Sequence, residues 1–358
     1  MPYHYRIPLL ALGMISLLLG LLAGLLRLGF EIPSPQSALP GLHGPLMIGG
    51  FLGTVIGLER AVALGRLWGY TAPLLSGTGT LVMLATGGER EAAVLITLAS
   101  LVILAVFAVQ ISRHFTSYMA VMAAGAAAWL AGNLLWLAGG VVDEFVLWWA
   151  AFLTLTIAGE RLELSRLLGH STKALALFCA AAAVFMAGVI LQFAHPGAGA
   201  KVAGAGMILL ALWLFRHDIA MITIRQSGLT RYIAVCLLIG YFWLGAGGAL
   251  ALTAAEWLPG PWYDATLHCV FLGFVFSMIF GHAPVIFPAI IGKPMAYSPW
   301  FYLHLALLNI SLAVRVAGDM AGGGALTAHG GAVNAAAILL FLANTVAGIV
   351  RGARAARS

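Results

Sequence analysis

Two histidines stand at the heads of apolar stretches that are long enough to cross a bilayer. His43 opens the run 42–58, and His268 lies near the start of 266–287. An ionisable side chain inside a membrane span is costly, and its presence points first to function. Imidazole is also the commonest metal ligand among side chains. Two imidazoles on different helices at matching depth could therefore hold one planar metallocofactor between them. The other reading open at this level is that each ring hydrogen-bonds a carbonyl of the next helix.

The remaining histidines sort by depth. His282 and His304 fall near the inner ends of the tenth and eleventh runs, where they form a candidate second metal or haem site. His329, beside an outer turn, is a candidate copper ligand, because imidazole suits that metal. His4, His114, His170 and His217 sit beside bases in inner turns and read as solvated surface. His268 and His282 are 14 residues apart. In an α-helix that spacing places them within about 40° of one face and about 21 Å apart along the axis. Gly44, Gly49, Gly50, Gly53 and Gly57 crowd the run after His43, and Gly273 and Gly281 the run after His268. Small residues let helices approach closely; the same residues would leave room for a flat macrocycle. For the carboxylates of such a group, Arg315 and Arg27 are the candidate cations at the outer end. Ordinary snorkelling of either side chain to the interface is the competing reading. Trp257, Trp262, Phe271 and Phe274 are candidates to pack against a ring.

The elements that must position these residues follow from composition. The chain of 358 residues is 62% hydrophobic and 8% charged, with a mean hydropathy of +1.02. Too little charge is present to cover a soluble protein of this size, so the expected fold is an all-α, polytopic transmembrane bundle. The whole chain, 1–358, reads as a single integral membrane domain. Twelve apolar runs carry it, at 7–26, 42–58, 71–87, 92–111, 117–139, 144–159, 174–194, 202–215, 230–253, 265–282, 299–318 and 330–350. The run at 202–215 is short and is expected to extend. The first run has no convincing cleavage site and reads as a retained helix. Cys179, Cys236 and Cys269 stand singly in apolar sequence, which predicts neither a disulfide framework nor a thiolate metal site.

Charge gives the orientation. With twelve spans, Arg27, Arg90, Lys201 and Arg315 fall on one side, and the other 14 of the 18 lysines and arginines, Arg357 among them, fall on the opposite side. The richer side is expected to be cytoplasmic, with both termini inside, in a bacterial inner membrane. The bases are scattered through short turns, so nucleic acid is an unsuitable partner and the lipid bilayer a suitable one. The second and sixth runs end alike, in Gly57-Leu58-Glu59-Arg60 and Gly159-Glu160-Arg161. A paired charge at a helix end is the simplest account of both. Asn133, Asn309 and Asn344 are the main polar residues near span midpoints. That bareness argues against a cofactor-free secondary transporter, the alternative function class. An assembly subunit without a cofactor is a third class, at odds only with the histidine placement.

Two of these stretches resemble a known family. Leu42-His43-Gly44-Pro45-Leu46-Met47-Ile48 is similar to the second helix of haem-copper oxidase subunit I, where a His-Gly-x-x-Met-Ile run carries a ligand of a low-spin haem. His268-Cys269-Val270, followed by Ile279-Phe280-Gly281 and Phe287-Pro288, resembles that family's tenth helix. The resemblance implies that His43 and His268 are the two axial ligands of a low-spin haem b near the outer face. It extends loosely to the twelve-span topology. Two departures weigh against oxygen reduction. Thr266 occupies the position of the family's high-spin haem ligand, and the runs 144–159 and 173–193 lack the histidines that bind its copper. The chain is then similar to a degenerate relative, such as the NnrS family of twelve-span haem and copper membrane proteins tied to nitric oxide and denitrification. What this implies is electron transfer or nitric-oxide handling, with a redox partner protein, and not a terminal oxidase.

Overall fold

Apolar runs of this length satisfy every backbone group internally only as helices, and a computed structural model, which describes residues 1–356, has helices joined by short connections and no strand among those residues. Arg357, counted above among the inner bases, lies outside them. The long rods are α1 (Tyr3–Arg27), α2 (Pro45–Leu64), α3 (Thr71–Thr86), α4 (Glu89–Arg113), α5 (Ser117–Leu137), α6 (Val142–Ser165), α7 (Thr172–Leu191), α8 (Pro196–His217), α9 (Gly228–Thr253), α10 (Pro261–Ile291), α11 (Phe301–Ala321) and α12 (Gly324–Ala355).

Among the described residues, eleven helices are long and apolar enough to cross a membrane, one fewer than the apolar runs of the sequence. The exception is α3. Its 16 residues rise about 24 Å, short of the roughly 30 Å hydrocarbon layer. The 3₁₀ turn Leu67–Tyr70 leads directly into it. The run at 202–215 lengthens at both ends into α8, as expected, and the last run into the 32-residue α12.

Helix ends follow local chemistry. The Thr116 and Ser171 hydroxyls accept the amides of Met119 and Ala174 at the starts of α5 and α7. Gly65 and Gly87 end α2 and α3 in the left-handed region, with φ of 67° at each.

Two rods are not α-helical throughout. The first eight residues of α2, Pro45–Leu52, and eight residues of α10, Cys269–Phe276, are wound as π-helix. π turns weaken the regular ladder and are concentrated at functional sites. In α2 the amide of Gly53 donates to Ile48 O, five residues back. The Ser76 and Thr54 hydroxyls donate to the Gly49 and Gly50 carbonyls, so neighbouring side chains supply donors within the wide turns.

Two compact units emerge, Met1–Phe152 with Ile286–Gly292, and Leu153–Val285 with the chain from Lys293 onward. In the first, α1 packs on the π segment of α2, and α3, α4 and α5 pack in sequence order. Two buried polar pairs lie there: Ser16 Oγ with Thr80 Oγ1 at 2.7 Å, and Trp149 Nε1 donating to Asn133 Oδ1 at 2.9 Å. Trp129 stacks on Phe152 with centroids 4.6 Å apart. In the second unit α7, α8 and α9 pack side by side, as do α11 and α12, and α9 lies on the π segment of α10. A Cβ on Gly204 would come within 2.6 Å of the Gly248 carbonyl, so α8 and α9 meet backbone to backbone.

Candidate functional site

His43 follows the short 3₁₀ turn Leu39–Leu42 and precedes the π segment of α2. Its Nδ1 donates to the carbonyl of Gly20 in α1 at 2.8 Å. Gly24, one turn further along α1, faces the ring; a Cβ there would stand 3.0 Å from His43 Cε1 and 3.1 Å from Nδ1. The absence of a side chain at 24 is thus what lets the imidazole reach its acceptor. Arg27 lies three residues beyond Gly24, at the exposed end of the same helix.

His268 stands directly before the π segment of α10. Its Nδ1 donates to Asp264 O at 2.8 Å and lies 3.3 Å from Asp264 Oδ2. The same Oδ2 accepts two bonds from Arg315, at 2.8 Å from an Nη and 3.2 Å from Nε. Arg315, a candidate cation for a haem carboxylate, is paired with Asp264. Burial makes the pair consequential: 9% of the Arg315 side chain and 33% of the Asp264 side chain are exposed. Four residues on from Arg315 in α11, the buried Asp319 accepts the Thr327 hydroxyl on Oδ1 at 2.8 Å.

A ring nitrogen that donates its proton fixes the tautomer. In both histidines Nδ1 is committed to a carbonyl, so in the neutral ring the lone pair is on Nε2, one of the two nitrogens through which imidazole ligates metals. An i−4 carbonyl bond alone is a local habit of helical histidine. His217, His282 and His329 make the same bond, to Trp213, Met278 and Ala325. His268 is set apart by the carboxylate and by the π winding that follows. His43 is set apart by reaching across to another helix.

The candidate second-site histidines have different surroundings. His304 is buried between Tyr232, whose hydroxyl is 3.0 Å from Nε2, and Asn344, whose Nδ2 donates to Nδ1 at 3.1 Å. Phe280, Phe301 and Phe341 surround it. His282 bonds its own helix, and the π turns before it invalidate the α-helical reckoning that placed it on the face of His268. Wide turns advance each residue by less than 100°. The His329 ring lies on the exposed side of α12. Among the described residues no group of three or more His, Cys, Asp or Glu side chains could hold a metal ion.

Contacts between distant residues decide between the other readings. The glycines of α2 are close-packing sites. A Cβ on Gly49 would strike Ile96, one on Gly53 would strike Ser76 and Trp129, and one on Gly57 would press on Pro73. Gly273 and Gly281 face Trp243 and Cys236 in the same way. Only Gly44 is loosely surrounded, 3.7 Å from Trp149 and Val142. Of the aromatic residues proposed to pack a ring, Trp257 and Phe274 are buried in protein and Trp262 is exposed.

The two Glu-Arg helix ends also part ways. Arg60 bonds its neighbour Glu59 at 2.7 Å, but Arg161 makes a bidentate pair with Asp218, at 2.9 Å on both arms. His170 and His217 are not simple surface groups. His217 stacks on Trp213. His170 bonds Ser165 Oγ, and burial together with the nearby His217 lowers its pKa from the ordinary histidine value. Cys179, Cys236 and Cys269 are free thiols.

Sequence reasoning missed Asp264 as a partner of both His268 and Arg315. The i, i+4 spacing of Asp264 and His268 was the available signal. A family model described as a domain of unknown function (DUF8744) matches residues 6–350. No curated protein matches the chain.

Proposed function

The chain belongs to the DUF8744 family, and we propose that it is an integral membrane haem b protein in which His43 and His268 supply the axial imidazoles. One observation carries this reading. Two histidines far apart in sequence share a local design, with Nδ1 bonded to a backbone carbonyl at 2.8 Å and eight residues of π-helix beginning within two residues of the ring. The carbonyl bond alone is shared by packing histidines; the π winding beside both rings is what supports the reading. Haem bound between two imidazoles exchanges single electrons at a potential that its protein surroundings set.

The residues on each side have separable tasks. The Gly20 carbonyl and the bare Gly24 orient His43. The Asp264 carbonyl orients His268. Arg27, on the same helix as Gly20 and Gly24, is the cation suited to a haem carboxylate, since Arg315 is held by Asp264. The finer relationships expected from the sequence belong to the same proposal: a degenerate relative of haem-copper oxidase subunit I, NnrS-like, with a redox partner protein and a nitric-oxide-related role. The proposal includes a topology in which α3 also crosses, so that both termini face the cytoplasm of a bacterial inner membrane.

The test is optical. Protein purified in detergent is expected to be coloured, to give a sharp haem absorption band on reduction, and to yield haem b on extraction. His43→Ala and His268→Ala should each abolish the low-spin spectrum, whereas His329→Ala should keep it. A folded preparation that is colourless and takes up no added haem sinks the reading and favours the cofactor-free alternatives.

A further inference from the structure

We infer that Asp264 and Arg315 form a tuning pair that sets the donor strength of His268. The inference rests on the haem reading above and concerns two side chains, the Asp264 carboxylate and the Arg315 guanidinium, to which that reading gives no role. A carboxylate near the Nδ1–H of a ligating imidazole draws the proton toward itself and makes Nε2 a stronger donor. Stronger donation favours the oxidised metal and lowers its reduction potential.

Three observations carry the argument. Asp264 Oδ2 is 3.3 Å from His268 Nδ1, close enough to polarise that N–H even though the shorter bond goes to the carbonyl of the same residue. Arg315 bonds the same oxygen twice, so its positive charge draws part of that oxygen's electron density away from the imidazole. Arg315 is nearly buried, so its charge is poorly screened. The carbonyl bond orients the ring by itself. The carboxylate is therefore free to adjust electron density without being needed for ligand geometry. The acceptor of His43 is a neutral carbonyl, so the two ligands would be electronically unequal.

The experiment is a redox titration of the whole haem-loaded protein, with low-spin electron paramagnetic resonance on the oxidised form. Asp264→Asn is expected to keep the haem, raise the midpoint potential and shift the g-values toward weaker imidazole donation. Arg315→Gln is expected to lower the potential and shift the g-values the opposite way. Glu256→Gln, a change to an exposed acid in the turn before α10, should leave both readouts unchanged. If Asp264→Asn and Arg315→Gln hold haem with wild-type potential and g-values, the inference is overturned while the haem reading stands. If Asp264→Asn loses its haem, Arg315→Gln decides alone: a lowered potential supports the pair, and an unshifted or raised one overturns it. A wild-type protein without haem defeats the underlying reading instead.

Discussion

The surroundings of His43 and His268 reach the same local result by different routes. Both rings are held through Nδ1 by a backbone carbonyl at 2.8 Å, and both stand before a π segment of eight residues. For His43 the acceptor lies 23 residues away on another helix, and the ring reaches it because Gly24 leaves space. For His268 the acceptor is four residues back on its own helix, and an ion pair with Arg315 is added. The first arrangement depends on helix–helix packing and carries no charge. The second is locally encoded and charged. The difference teaches that ring orientation at 43 is vulnerable to any change in how α1 meets α2, whereas ring orientation at 268 should survive such changes and respond to charge.

The strongest way to break the likeness is to remove a π segment. Deleting one residue from 46–51, or separately from 270–275, should restore regular α turns and rotate each histidine relative to the helix that follows it. Loss of haem retention in both deletions, measured as the haem-to-protein ratio after size exclusion, is expected. Full retention in either would show that the π winding there is incidental.

Stability should sharpen the contrast between charged sites. Arg161→Gln leaves Asp218 buried without its partner, and breaking such a pair costs about 3–5 kcal/mol. Arg315→Gln should cost less, because a third of the Asp264 side chain remains exposed to screening. Thermal unfolding in detergent should therefore rank Arg161→Gln well below Arg315→Gln, and equal losses would refute the burial argument.

The gentlest change is Gly24→Ala. The added Cβ would meet His43 at 3.0 Å and force the ring off its acceptor by a few tenths of an ångström. Partial haem loss with a nearly wild-type unfolding temperature is the expected result. A spectrum identical to wild type would mean that α1 yields without disturbing the ring.

Much of the architecture was legible because hydropathy is a local property. Apolar runs located all twelve long helices, and only the length of α3 sets it apart from the eleven that suffice to cross a membrane. The extension of the short run at 202–215 was legible too. At the candidate site, the histidines and the i, i+4 spacing of Asp264 and His268 are visible in the sequence, but that spacing does not reveal that the same carboxylate also faces Arg315. The π segments could not be seen. Their composition is ordinary apolar helix, and a count at 100° per residue assumes the winding that they lack.

The sequence by itself determined that this chain forms apolar helices and that two imidazoles head two of them, because burial of apolar length requires only neighbouring residues to agree. Tertiary structure alone decided which charges pair. Arg161 chose Asp218, 57 residues away, over the adjacent Glu160 pairing that the motif suggested, and Arg315 chose Asp264 across 51 residues. A buried guanidinium takes whichever carboxylate the packing of helices delivers in bidentate or forked geometry, since an unpaired charge there is the costlier outcome. That delivery is a property of three dimensions, and no spacing along the chain records it.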